Sequence, residues 1–413
     1  MSTEADARML IDRLLEQAGW CITNKAQVST EEAAADGRAD YLLKDTRSRP
    51  LAVLEAKRFA VDPYSAKEQA KAYALTLKAP FVILSNGQEH YFWDYTDGDA
   101  RPVMGVPSQA DLERRANIKV HRKGDIRQSL SLQPLPHRFD FKGEEVEARP
   151  YQLECLQKAD DALIAGRRRM LFEMATGTGK TLTIAMLMKR WLQTAIISRV
   201  LFLVDRIELA KQAKETFDEY LRDWPTVILY GGKRSLEGQI VVGTLDTIAT
   251  QLGGNGFGHG YFDLVVTDEC HRSIYNTHRA TLGHFDAIHV DLTARWWLTQ
   301  ACLPLLSGSD AGAVVFAIDD PVRVGGTGAF WGGYGLAQAA QAALVPMLQA
   351  ELGADGPRIS GLRPGPMRTG LRARAFQPNT DFKARAPETY AAACVELLSS
   401  AAADARGRVV EID

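Results

Sequence analysis

The sequence predicts an α/β protein in which short apolar strands alternate with amphipathic helices. Two observations carry this prediction. A glycine-rich loop at residues 175–181 stands between an apolar run and a helical pattern, and the pair Asp268-Glu269 follows the apolar run 262–267. Parallel α/β sheets place functional side chains at the carboxyl ends of their strands, so both motifs stand where such a fold would use them.

The glycine loop predicts a site for a nucleoside triphosphate. Its backbone N–H groups and the start of the next helix can converge on phosphate oxygens. Lys180 would reach the β- and γ-phosphates, while Thr181 and Asp268 would hold Mg²⁺ and Glu269 would orient the attacking water. Each motif alone could be an ordinary turn or an acidic strand end, but their order and setting favour nucleotide binding. The predicted nucleotide-binding residues of the loop and its helix are Gly177, Thr178, Gly179, Lys180 and Thr181.

Composition bounds the class of protein. With 413 residues, of which 46% are hydrophobic and 24% charged, the chain is expected to fold into two or three globular domains. A net charge of −2 gives no overall footprint for nucleic acid, so DNA contacts would come from local surfaces. Five scattered cysteines, without a Cys-x-x-Cys pair, argue for a reducing compartment. No signal peptide or membrane span is recognisable, and we expect a cytoplasmic protein that binds no membrane.

A second cluster of candidate residues lies near the N-terminus. Glu55 and Lys57 are two apart in the strand-like run 51–57 and therefore share a face. A hairpin would bring Asp40 beside them. Two carboxylates and one ammonium are what metal-dependent phosphodiester cleavage needs: Asp40 and Glu55 would hold Mg²⁺, and Lys57 would position water or stabilise negative charge. The alternative is a solvated salt bridge on an edge strand.

The residues around this cluster resemble a known nuclease. Gly37-Arg38-Ala39-Asp40-Tyr41, Leu54-Glu55-Ala56-Lys57, Asp62-Pro63-Tyr64 and Gln69-Ala70-Lys71-Ala72-Tyr73 are similar to the PD-(D/E)xK domain of type I restriction enzyme R subunits. This resemblance implies that Gln69 and Tyr73 position DNA near the metal. Without this resemblance, Gln69 and Tyr73 are interpreted as neighbours on one turn of an amphipathic helix, with Tyr73 in the core.

The resemblance continues into a motor domain of helicase superfamily 2. Arg149-Pro150-Tyr151-Gln152 resembles the element in which glutamine reads adenine, and Asp268-Glu269-Cys270-His271 resembles the acidic ATPase motif. Val204-Asp205-Arg206 resembles a strand end that touches the DNA backbone, which implies DNA binding by Arg206. Charged strand ends are equally often only surface, so that role stays open.

A basic segment, residues 111–132, joins the two predicted modules. It could pass along a phosphate backbone, but a solvated connector is the favoured interpretation. Its basic residues are Arg114, Arg115, Lys119, His121, Arg122, Lys123 and Arg127.

The tail resembles a different family, the short-chain dehydrogenases/reductases, in their C-terminal half. Residues 298–306, Trp331-Gly332-Gly333-Tyr334-Gly335 and Arg363-Pro364-Gly365-Pro366 carry the likeness. The family pairs its tyrosine with a lysine four residues on, but Gln338 stands there, and a neutral amide cannot lower the phenol pKa. We expect a partial Rossmann-like segment without redox function, and no NAD(P) binding.

These inferences predict three segments: a nuclease-like domain at 1–140, a RecA-like ATP-binding domain at 141–288 and a reductase-like segment at 289–413. The expected function is that of an ATP- and DNA-binding motor and endonuclease subunit of a type I restriction system. It would be truncated after its first RecA-like domain and impaired in ATP turnover. Double-stranded DNA and the methyltransferase and specificity subunits are the partners that the resemblance implies. The alternatives are a non-catalytic DNA- or partner-binding chain and, less favoured, an oxidoreductase.

Overall fold

The computed structural model describes residues 4–34, 37–174, 179–229, 238–253, 256–268, 276–293, 295–319, 332–368, 384–399 and 401–412. Its chain forms two compact units, Met1–Arg295 and Trp296–Asp413. Strands and helices alternate in both units, so the α/β prediction is confirmed. None of the described helices is both long enough and apolar enough to cross a membrane.

The first unit begins with a mixed sheet whose six strands follow chain order. Its strands are β1 (Val28–Ala34), β2 (Gly37–Lys44), β3 (Pro50–Ala56), β4 (Phe81–Ser85), β5 (His90–Trp93) and β6 (Arg101–Val103). Two helices flank it, α1 (Glu4–Gln17) and α2 (Lys67–Leu77). The β2–β3 turn forms because the Asp45 carboxylate accepts hydrogen bonds from the backbone N–H groups of Arg47 and Arg49 at 2.9 and 2.7 Å. This turn sets the register in which Tyr41 pairs with Leu54.

A linking region follows, composed of α3 (Gln109–His121), α4 (Ile126–Ser131) and a hairpin of β7 (Arg138–Phe141) and β8 (Glu144–Glu147). The favoured prediction of a solvated connector is wrong for three of its arginines and for Lys119. Lys119 pairs with Asp94, and Arg122 pairs with Asp97 with 8% of its side chain exposed. Arg114 pairs with Asp263, and Arg115 pairs with Asp286 at 2.6 Å, with only 10% of the Arg115 side chain exposed. Arg114 and Arg115 therefore fasten the linking region to the next sheet. His121, Lys123 and Arg127 remain exposed.

The second sheet of the first unit is parallel, in the order β11-β12-β10-β13-β14-β9. Its strands are β9 (Arg169–Glu173), β10 (Val200–Val204), β11 (Thr226–Ile228), β12 (Ile240–Thr244), β13 (Leu264–Asp268) and β14 (Ile288–Thr293). The helices that go with it are α5 (Pro150–Ile164), α6 (Lys180–Gln193), α7 (Ile207–Tyr220), α8 (Leu245–Ala249) and α9 (Asn276–Gly283). The central strands β10, β12 and β13 are apolar over nearly their whole length because both faces of the sheet are covered there, whereas the edge strand β9 alternates exposed and buried residues.

Strand β14 belongs to this second sheet. It lies between β13 and β9, and its Thr293 pairs with Glu173. The sheet therefore extends beyond residue 288, into the segment predicted from the sequence to be reductase-like. The segment boundaries at 140 and 288 stay predictions.

The second unit contains a three-stranded parallel sheet, β15 (Ala313–Ala317), β16 (Arg358–Pro364) and β17 (Val409–Ile412). Helices α10 (Arg295–Ser307), α11 (Gly332–Leu352) and α12 (Ala391–Leu398) accompany the strands. Helix α12 ends at Leu398. The Ser399 hydroxyl donates to the Glu396 carbonyl oxygen at 2.7 Å, and such local bonding competes with continuation of a helix.

Candidate functional site

The β2–β3 hairpin brings the predicted acidic residues together. Because Tyr41 pairs with Leu54, Asp40 lies beside Glu55, and the backbone N–H of Ala56 donates to Asp40 Oδ2 at 2.8 Å. Asp40 is 8% exposed and Glu55 4% exposed. Two buried carboxylates on neighbouring strands are costly unless a cation is supplied.

Glu55 and Lys57 face the same way, as their spacing predicts. Lys57 Nζ donates to Glu55 Oε1 at 3.1 Å, while Glu55 Oε2 is buried without a hydrogen-bond partner among the described residues. Burial, and after it the charge of Asp40, raises the pKa of Glu55 above its ordinary value, although Lys57 opposes that shift. A buried carboxylate oxygen with no donor is suited to a metal ion.

Gln69 and Tyr73 continue the polar chain from Lys57. Lys57 Nζ lies 3.5 Å from Gln69 Oε1, and Gln69 Nε2 donates to the Tyr73 hydroxyl at 2.9 Å. Gln69 is exposed, but Tyr73 is only 7% exposed and packs in the core between α2 and the sheet. Of the two predicted DNA-positioning residues, Gln69 is therefore the one that solvent reaches.

Arg8 completes this site, and sequence reasoning missed it. Its Nη2 donates to Asp40 Oδ1, and its Nη1 donates to Glu31 Oε1 at 2.7 Å. No pattern in α1 distinguishes Arg8 from the exposed Arg13, because the contact joins residues far apart in the chain. The predicted hairpin offers the one hint of this contact, because it places Asp40 on a sheet face that a preceding helix could cover.

The described residues of the predicted nucleotide-binding loop, Gly179, Lys180 and Thr181, lie at the start of α6. Gly179 precedes the helix with a φ of 82°, a left-handed conformation that favours glycine. A Cβ there would approach Gln152 Nε2 to 3.2 Å, so the loop and α5 are closely packed. Lys180 is buried in the first turn of the helix, and Thr181 follows it half-buried.

Gln152 lies inside the first turn of α5 rather than before the helix. Its Oε1 accepts from the Arg149 backbone N–H at 3.0 Å, and its Nε2 donates to the Thr183 hydroxyl at 3.2 Å. The amide predicted to read adenine thus holds α5 against α6, directly beside Gly179.

The remaining predicted residues lie at the carboxyl edge of the parallel sheet. Asp268 ends β13 and pairs in register with Val204, the last residue of β10. Arg206 follows β10 at the cap of α7 with 76% of its side chain exposed. Gly177, Thr178 and Glu269 lie outside the described residues. Asp268 and the start of α6 therefore share the sheet edge at which such folds bind ligands.

In the second unit, the residue at the position of the reductase lysine has a structural partner. Gln338 Oε1 accepts from the Asp319 backbone N–H at 2.8 Å, joining α11 to the end of β15. The side-chain amide that stands four residues after Tyr334 thus connects a helix to the end of a strand.

Comparison with known proteins identifies two family regions. The model for the N terminus of type I restriction enzyme R proteins (HSDR_N) matches residues 10–107, and the model for the res subunit of type III restriction enzymes matches residues 145–296. The first region contains Asp40, Glu55 and Lys57, and the second contains the glycine loop and Asp268.

Curated relatives agree with these matches. The endonuclease subunit of type I restriction enzyme EcoAI from Escherichia coli is 29% identical over 325 residues, covering 71% of this chain and 39% of the relative. The EcoKI endonuclease subunit from E. coli strain K12 is 25% identical over 381 residues, covering 71% and 32%. An uncharacterized oxidoreductase, YciK, from E. coli strain K12 is 36% identical over 102 residues, covering 25% of this chain and 39% of the relative.

The chain spans between 32% and 39% of the length of the two restriction subunits. Its similarity to an oxidoreductase is partial and covers a quarter of its residues. The type I model covers the mixed sheet β1–β6, and the type III model covers the parallel sheet β9–β14. Over 71% of its length, the chain is therefore similar to the endonuclease subunits of type I restriction enzymes.

Proposed function

We propose that the first unit combines a Mg²⁺-dependent DNA nuclease site at Asp40, Glu55 and Lys57 with the ATP-binding part of a DNA motor. The observation that carries the nuclease proposal is Glu55 Oε2, a buried oxygen without a partner among the described residues, next to a second carboxylate. No group of three or more His, Cys, Asp and Glu side chains suited to a metal occurs in the described parts of the chain. Mg²⁺ needs fewer, because it is often held by one or two carboxylates with water and substrate phosphate.

The residues of the site have distinct tasks in this proposal. The Ala56 N–H fixes Asp40 Oδ2, and the proposed ligand atoms are Glu55 Oε2 and Asp40 Oδ1, which accepts from Arg8 in this structure. Bound Mg²⁺ would supply an activated water and neutralise charge on the phosphate. Lys57 holds the other oxygen of Glu55 and, 27% exposed, can orient water or donate to a phosphate oxygen.

Glu55→Gln tests the metal ligand. We expect nicking of supercoiled plasmid in Mg²⁺ to fall at least about 100-fold, since even outer-shell changes cost roughly 10- to 100-fold in metal affinity. Mn²⁺ binding, measured by calorimetry, should weaken in parallel. The matched control is Glu68→Gln, an exposed residue at the start of α2. Equal nicking by both variants would reject Glu55 as a ligand.

For the motor half, we propose that Lys180 and the glycine loop bind the phosphates of ATP, and that Thr181 and Asp268 hold its Mg²⁺. The left-handed Gly179 before α6 and the position of Asp268 at the same sheet edge support this. Glu269 would activate water. The parallel sheet supplies Lys180, Thr181 and Asp268 to one side of the proposed ATP site. In two-domain motors a second domain supplies an arginine worth about 10³- to 10⁵-fold in rate, so we expect the first unit, without such an arginine, to bind nucleotide with slow turnover.

Lys180→Ala tests nucleotide binding. Affinity for a fluorescent ATP analogue should fall about 10- to 100-fold, because a hydrogen bond to a charged group contributes roughly 1.5–3 kcal/mol. Lys211→Ala, an exposed lysine of α7, is the control and should bind normally. Unchanged binding by the Lys180 variant would show that this loop does not hold the phosphates.

The partners are proposed from the family. Duplex DNA would contact the exposed Gln69 and Arg206, while methyltransferase and specificity subunits would complete the complex. We do not propose oxidoreductase activity, because Gln338 replaces the lysine and is bonded to Asp319.

A further inference from the structure

Arg8 stands where the proposed metal ion would bind. Its guanidinium contacts Asp40 Oδ1, the oxygen of Asp40 that Ala56 does not hold. Arg8 is 33% exposed at the side chain and Asp40 10%, so the arginine reaches the carboxylate from the solvent side. A dication at Asp40 and this guanidinium would repel each other, because both are cations competing for one oxygen.

Glu31 holds Arg8 at the site by a second contact. In the β1–β2 pair, Thr30 pairs with Tyr41 and Glu32 with Ala39, so Glu31 lies opposite Asp40. Its φ of 52° is in the left-handed region, which is unusual for a glutamate in a strand. Strained backbone of this kind persists where the surrounding structure enforces it, and it clusters at functional sites. Here it accompanies a carboxylate that bonds Arg8 at 2.7 Å.

The two contacts differ in what metal binding would do to them. Loss of the Asp40 contact leaves the guanidinium tethered to Glu31, beside the site and partly exposed. A guanidinium fork fits two phosphate oxygens, and its charge is retained at any physiological pH. Arg8 is therefore placed to exchange a carboxylate for a DNA phosphate.

We propose that Arg8 is a phosphate-binding residue of the nuclease site which neutralises Asp40 until metal and DNA arrive. This inference rests on the proposed nuclease function. Without metal, Arg8 donates to the Asp40 carboxylate. When metal binds, Arg8 is displaced from Asp40, stays bonded to Glu31 and contacts the phosphate backbone.

The test uses the full chain and two binding measurements. Arg8→Ala should bind Mn²⁺ several-fold more tightly by calorimetry, because the competing cation is gone. The same variant should bind a duplex oligonucleotide more weakly with Ca²⁺ in place of Mg²⁺, and the dependence of log affinity on log salt should become shallower by about one unit. Arg8→Lys should keep part of the DNA affinity, since it retains charge but not the fork.

Arg13→Ala, on an exposed position of the same helix, is the matched control. A purely structural Arg8 would lower thermal stability without tightening Mn²⁺ binding, and that result overturns the proposal. Unchanged DNA affinity and salt dependence also overturns it. If Glu55→Gln fails to affect Mn²⁺ binding and nicking, the nuclease function itself is wrong. If Glu55→Gln abolishes both while Arg8→Ala changes neither affinity, the role of Arg8 alone is rejected.

Discussion

Replacing Asp286 with alanine is expected to lower the free energy of unfolding of the first unit by about 3–5 kcal/mol. Arg101 donates to both carboxylate oxygens of Asp286, at 2.7 and 2.9 Å, and Arg115 donates to Oδ2 at 2.6 Å. Both guanidinium groups also lie about 5 Å from the Phe92 ring centre. Asp286 is 5% exposed, so its removal takes away the carboxylate that Arg101 and Arg115 bond and that Arg168 approaches. Urea unfolding measures the change in the free energy of unfolding. Hydrogen exchange of amides in β10 and β13 then shows whether the parallel sheet is the part that is destabilised.

The electrostatics of Asp286 support that magnitude. Burial alone would favour its neutral form, but Arg101, Arg115 and Arg168 together hold the pKa of Asp286 well below its usual range. Asp218→Ala is the matched control, because Asp218 is half exposed and pairs with Lys214 across one turn of α7. Exposed pairs of this kind contribute about 0–1 kcal/mol. Similar losses of unfolding free energy in the two variants would mean that the ion pairs of Asp286 do not hold the mixed sheet β1–β6 against the parallel sheet.

The sequence predicts the local geometry around Asp40, Glu55 and Lys57. Strand periodicity puts Glu55 and Lys57 on one face, and a short turn after Asp40 predicts its approach to them; the structure contains both features. The same holds for the glycine loop and Asp268, which precede or end elements of the predicted type. Interactions between neighbours in sequence or across one hairpin follow from backbone geometry alone.

Long-range pairing is what the sequence does not reveal. Arg8 with Asp40, and Arg115 with Asp286, are contacts whose existence depends on how helices pack on sheets. A basic run such as 111–132 has the same composition whether it is solvated, on DNA or buried in ion pairs. The place of β14 in the parallel sheet is similarly invisible, because a short strand-like run does not show which sheet it joins.

Replacing Lys57 with alanine should reduce single-turnover nicking of supercoiled plasmid about 10²- to 10⁴-fold, the range typical of proton-transfer and charge-stabilising side chains. Lys57 Nζ holds Glu55 Oε1 at 3.1 Å and borders Gln69, so its ammonium lies between the proposed metal ligand and the exposed side of the site. Its backbone N–H bonds Ser85 at 2.8 Å and is unaffected by the change, so the strand should remain in place. The nicking rate at saturating Mg²⁺ is the quantity to measure.

That measurement is also the most direct test of the central claim, that Asp40, Glu55 and Lys57 form a metal-dependent nuclease site. Wild-type chain and Lys25→Ala, an exposed lysine of the same domain, should nick plasmid equally in Mg²⁺ and not at all in a chelator. Lys57→Ala should bind Mn²⁺ yet leave the plasmid supercoiled. Nicking by Lys57→Ala at the wild-type rate would contradict the claim and would mean that the three residues form only a buried ion-pair cluster.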